Sequence, residues 1–69
     1  MLEYKLTSDY IELVKLLKLL RLAETGGHAK ILVEDGEVKL NGKPENRKRA
    51  KLGAGDVVEV LGEKITITK

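Results

Sequence analysis

The sequence predicts an α+β domain, with helices on one side of a small, mainly antiparallel sheet. Three patterns lead there. Apolar residues alternate with polar ones at both ends of the chain, one central run carries the helical period behind a cluster of capping residues, and glycine-containing turn signals separate the later strands.

Leu2, Tyr4 and Leu6 alternate with Glu3 and Lys5, the period of a half-buried strand, and the segment is short enough to be an edge. Thr7-Ser8-Asp9 then offers three N-cap candidates, and Asp9 with Glu12 has capping-box spacing, so a helix is expected from Tyr10 to about Arg21. Along it Tyr10, Leu13, Val14, Leu17 and Leu20 recur at three- and four-residue steps, and Leu16 widens the stripe. Lys15 and Lys18 share the opposite face, with Arg21 nearer the border. Residues 22–27 break the period, and the Gly26-Gly27 pair allows a sharp entry into a second helix. That helix is short, carried by Ala29, Ile31, Leu32 and Val33 and closed by Gly36 as a left-handed cap. Val38 and Leu40 run as a strand into Asn41-Gly42, a dipeptide that tolerates positive φ at both positions of a tight turn. Residues 52–56 form a turn-rich connector, after which Val57, Val58 and Val60 pass through Leu61-Gly62-Glu63 into Ile65 and Ile67, a terminal hairpin.

At 69 residues the chain is expected to be one domain, residues 1–69, with no repeat or linker. Hydrophobic residues make up 42% and charged ones 35%, too apolar for a disordered tail and too charged for a membrane span. Met1 to Leu6 lacks the basic start and apolar block of a leader, so a cytoplasmic location without membrane contact is expected. With no cysteine there is neither a disulfide framework nor a thiolate metal site. Phe and Trp are absent and only Tyr4 and Tyr10 are aromatic, so any contact with nucleic acid is expected to be mainly ionic.

The net charge of +2 is unevenly spread. Lys43, Arg47, Lys48, Arg49 and Lys51 stand against Glu45 alone within nine residues, a local +4, while the other 60 residues sum to −2. Its bland alternative is a solvated turn.

Leu16-Leu17-Lys18, Thr25-Gly26-Gly27-His28-Ala29-Lys30, the run from Gly36 to Gly42 and Gly55-Asp56-Val57-Val58 together resemble the alpha-L RNA-binding motif, the domain named after the fourth protein of the small ribosomal subunit. The resemblance covers nearly the whole chain and is greatest to the stand-alone bacterial members, whose basic loop is similar to residues 45–51. It implies a two-helix motif on a curled sheet and a ligand of structured RNA, ribosomal or ribosome-associated, gripped by the helix pair and its loops. Where many members begin the second helix with arginine, this chain has Gly27 and His28, so the resemblance implies no guanidinium contact there; the N–H groups of a helix N-terminus are an alternative phosphate ligand.

On this reading Arg47, Lys48, Arg49 and Lys51 form the main phosphate clamp, extended by Lys43, Lys18, Lys30 and His28, with Lys15 and Arg21 as further contacts or simply the wet face of an amphipathic helix. The chain is expected to be a monomer without catalytic residues, metal or cofactor. The lone His28 has no cysteine to join it as a metal ligand, the acids Glu34, Asp35 and Glu37 lack calcium-loop spacing, and Gly53-x-Gly55 has no Lys-Ser/Thr after it. The rival expectation is a protein–protein adaptor using Ile11, Leu19 and Leu22, apolar residues off the main stripe of the first helix.

Overall fold

In the computed structural model, which describes residues 2–69, β1 (Leu2–Lys5) is the edge of a five-stranded sheet. It pairs in parallel with β7 (Glu63–Thr68), Leu2 opposite Ile65 and Tyr4 opposite Ile67. β7 forms a hairpin with β6 (Val57–Val60), β6 pairs antiparallel with β3 (Val38–Leu40), and β3 with β4 (Lys43–Pro44), in the order β1-β7-β6-β3-β4. Period-two alternation places Val58, Val60, Ile65 and Ile67 on the buried face.

Both hairpins turn through residues in the left-handed region: Asn41 and Gly42 at φ 53° and 85°, and Leu61 and Gly62 at 51° and 79°. Asn-Gly is the favoured pair for such a turn; an exposed leucine there is strained. Asn41 also fastens its turn to β6, since its Nδ2 donates to Asp56 Oδ1 at 3.0 Å and its Oδ1 accepts from the Val57 N–H at 2.9 Å.

The first helix corrects the sequence reading. α1 (Leu13–Leu19) starts three residues later than expected, because β2 (Ile11–Glu12) pairs antiparallel with β5 (Lys51–Leu52) in a separate two-stranded ladder. A partner forty residues away outweighs the local capping signals, and Ile11 is buried rather than part of an open apolar face. Tyr10, expected in the core stripe, is 45% exposed. α1 ends in a Schellman motif, Leu22 N–H donating to Leu17 and Arg21 N–H to Lys18, with Arg21 itself at φ 59° where glycine is usual.

α2 (Gly26–Glu34) is capped at its start by Thr25, whose side chain accepts from the His28 N–H at 3.1 Å, and closes with Gly36 at φ 78°. Leu13, Leu16 and Leu17 of α1 and Ala29, Leu32 and Val33 of α2 pack with the inward residues of the sheet, with Ile11 and Leu52 joining from the small ladder. Among the described residues no polar or charged side chain is buried, so the cohesion of the fold is apolar packing.

Candidate nucleic-acid interface

The basic loop is held against the helices by the unmet needs of α1. Glu12 provides no side-chain cap, so the first N–H groups of the helix look elsewhere. The Leu13 N–H donates to the Ala50 carbonyl at 2.9 Å and the Val14 N–H to the Lys48 carbonyl at 3.2 Å. With buried Ala50 and Leu52 as anchors, these bonds lay residues 45–50 across the start of α1. Lys48 also ties the loop to the last residue of α2, its Nζ lying 3.4 Å from Glu34 Oε1.

The result is a hollow of about 700 Å³ where three segments meet. Lys15 and Lys18 come from α1, Lys30 from α2, and Lys48 and Arg49 from the loop, with Glu12 the one acid and Val14 and Gly26 completing the lining. Its formal charge is +4, and all five cations are exposed. Gly26 opens the N-terminal turn of α2 onto the same space, adding the positive end of a helix. Such a field, focused in a concavity, suits a polyanion.

Other expected contacts lie elsewhere. Arg47 turns back on its own loop: Nε donates to Glu45 Oε2 and Nη2 to Glu45 Oε1, both at 3.0 Å, while its backbone N–H also reaches Oε2. The bond from the Arg47 side chain holds the Glu45 carboxyl below its ordinary range, and the same bond raises Arg47. The guanidinium remains exposed, but it is already paired with the Glu45 carboxylate. Arg47, Arg49, Ala50 and Lys51 border a second, shallower hollow of about 410 Å³. Lys51 Nζ sits 5.0 Å above the Tyr10 ring, a cation–π contact. His28 supports the helix start, its Nδ1 accepting from the Glu24 N–H at 3.2 Å. Lys43 is exposed on β4 and Arg21 follows the C-cap of α1; neither lines the hollow.

Sequence reasoning read Glu12 as a capping-box residue and Glu34 as one of a group of acids, because their roles here depend on pairings across the fold, and it gave Thr25 no capping role although its spacing to the second helix was a readable signal. Among the described residues no group of three or more potential ligands comes together to hold a metal ion, and no helix is long and apolar enough to cross a membrane.

A family profile described as the S4 domain matches residues 4–68. The chain belongs to the S4 domain family. This S4 domain is 41% identical over 58 residues to YbcJ of Escherichia coli (strain K12), a match spanning 84% of this chain and 83% of YbcJ. It is 42% identical over 55 residues to the Bacillus subtilis (strain 168) protein named "Probable ribosome maturation protein RlbA", covering 80% of this chain and 78% of that one. The solution structure of Escherichia coli YbcJ, described as revealing an alpha-L motif involved in RNA binding, superposes with a TM-score of 0.76 at 37% identity over all of this chain and 89% of YbcJ. The 30S ribosomal protein S4e of Thermoplasma acidophilum matches with a TM-score of 0.69 at 27% identity; 84% of this chain aligns with 31% of that larger protein. The two-helix α+β architecture read from the sequence is therefore the architecture of the family.

Proposed function

We propose that this S4 domain is a non-catalytic module that binds structured RNA, ribosomal or ribosome-associated, through the cation hollow between α1, α2 and the basic loop. The observation that carries the proposal is the convergence of five cations from three separate segments on one concave surface of a domain that is otherwise slightly acidic. A solvated charge run has no reason to be met by lysines from two helices. The description of the YbcJ structure supports RNA as the ligand, and the name of RlbA supports a ribosomal setting.

In this reading Lys15, Lys18, Lys30, Lys48 and Arg49 set the spacing of bound phosphates, and Arg47 and Lys51 continue the track around the loop. Lys43, His28 and Arg21 are outlying contacts. Recognition follows shape and phosphate spacing, because lysines act as point charges and carry little base information. The lining of the hollow holds no serine, threonine, cysteine or histidine beside Glu12, which favours binding over turnover. The cytoplasm is the compartment that fits such a ligand. Lys43 and Pro44 blunt the outer edge of β4, which supports a monomer.

The test is a paired charge reversal read by filter binding to a folded ribosomal RNA fragment. Lys18→Glu with Lys30→Glu is expected to weaken binding at least 50-fold, roughly 1 kcal/mol or more per reversed contact. Lys64→Glu, on a separate hollow shared with Glu37, Glu59 and Glu63, is expected to change it less than threefold. Equal losses from both would refute a localised interface.

A further inference from the structure

The two tyrosines of this chain are its only Phe, Trp or Tyr residues, and both border one small hollow next to the cation cluster. Tyr4 reaches it from β1 and Tyr10 from the segment before β2; Thr7, Ser8, Ile11, Glu12 and Lys15 complete the lining. Glu12 and Lys15 also line the cation hollow, so the two concavities share a wall. The volume is about 340 Å³, near the lower end of the roughly 300–1,000 Å³ found for small-molecule sites.

The two hollows differ sharply in charge. The cation hollow carries a formal +4, whereas the tyrosine hollow carries one acid and one base and sums to zero. A phosphate entering it would face the Glu12 carboxylate, with Lys15 the one cation of the lining to offset it. A flat, neutral group bearing hydrogen-bond donors meets the opposite situation: ring surface from Tyr10, a hydroxyl from Ser8 or Thr7, and a carboxylate acceptor in Glu12. Tyr10 is also out of place as a core residue. It is 45% exposed although the chain's other large side chains near it, Ile11 and Leu13, are buried. Lys51 lies over one face of its ring, which orients the ring and leaves it beside a second cation of the phosphate track.

We infer that the Tyr4–Tyr10 hollow is a base-stacking subsite, taking one unpaired nucleobase of an RNA whose adjoining phosphates lie in the cation hollow. This deepens the proposed RNA-binding function and rests on it. It adds a stacking contact to the mainly ionic one expected from composition: the RNA is selected for a bulged or terminal nucleotide beside a paired stem. Stacking of a base on an aromatic side chain is sequence-tolerant, so the subsite reads the presence of an unpaired base more than its identity.

The experiment compares two RNA stems that differ only by a single unpaired adenosine, titrated into the wild-type protein, Tyr10→Leu and Tyr10→Phe. The wild type is expected to prefer the bulged stem by roughly 5- to 150-fold, the range for one stacked base. Tyr10→Leu, which keeps an apolar side chain but no ring, is expected to bring that ratio toward one, and Tyr10→Phe to retain it. In the wild type, the Tyr10 ring-proton resonances should shift upfield on adding the bulged stem and hardly move with the paired stem. With so few aromatic rings these signals are readily assigned. Equal binding of both stems, or a preference that survives Tyr10→Leu, overturns the subsite while leaving RNA binding intact. Failure to bind either stem overturns both.

Discussion

Replacing Arg21 by glycine should make the protein more stable, although it removes a charged residue at the end of a helix. Arg21 occupies the C′ position of the Schellman motif that closes α1, at φ 59°, with its N–H donating to Lys18. A residue with a Cβ pays roughly 1–2 kcal/mol for the left-handed conformation. Glycine adopts it freely but costs about 0.5–1 kcal/mol more to order from the unfolded chain. The exposed Arg21 side chain has no ion pair among the described residues to set against this. The balance favours Arg21→Gly by about 0.5–1 kcal/mol, and for a domain of this size the melting temperature should rise by roughly 2–8 °C. Thermal unfolding followed by circular dichroism, with urea midpoints as a second measure, reads the effect. A fall in stability would refute the strain argument and mean that Arg21 makes a contribution the geometry does not show. The same variant bears on binding: Arg21 is an outlying contact beyond the lining of the cation hollow, so its loss should weaken RNA affinity far less than the Lys18→Glu, Lys30→Glu pair does.

Two further variants probe particular contacts. Glu45→Gln frees the Arg47 guanidinium, so RNA affinity should rise by about 2- to 5-fold, the worth of one exposed ion pair. Because the Glu45 carboxyl is held below its ordinary 4.5, the pair supports the fold above about that pH and is lost as pH falls through the lowered value; Glu45→Gln should flatten that acid-side decline in the urea midpoint. Asn41→Ala removes the bonds to Asp56 and Val57 and puts alanine at φ 53°, a combined cost of about 2–3 kcal/mol by urea unfolding.

The helices and hairpins were legible where the signal is local. Leu16 and Leu17, the Gly36 cap and the Asn41-Gly42 turn all declare themselves within a few residues. The start of α1 was not, because Ile11 and Glu12 are claimed by Leu52 and Lys51, a pairing that no window along the chain contains. That same pairing organises the candidate interface. The charge run of residues 43–51 was visible, but not that its loop would hand carbonyls to Leu13 and Val14 and so bring Lys48 and Arg49 beside Lys15, Lys18 and Lys30. Nor could composition show that Arg47, one of the four residues expected to form the main clamp, would fold back onto Glu45 two residues earlier. Tyr10 had helical spacing to Leu13 and Leu17 and so read as core; the late helix start removes it from that stripe and turns it to the surface.

The central claim is that one cluster of five cations neutralises RNA phosphates, and its most direct test is the salt dependence of binding. Titration of a folded ribosomal RNA fragment across a salt series should give log affinity falling against log salt with a slope of roughly −3.5 to −4.5 for five neutralised phosphates, and reversing Lys18 and Lys30 together should make that slope shallower by about 1.4–1.8. A flat dependence in the wild-type protein, or an unchanged slope in the reversed variant, would contradict the account.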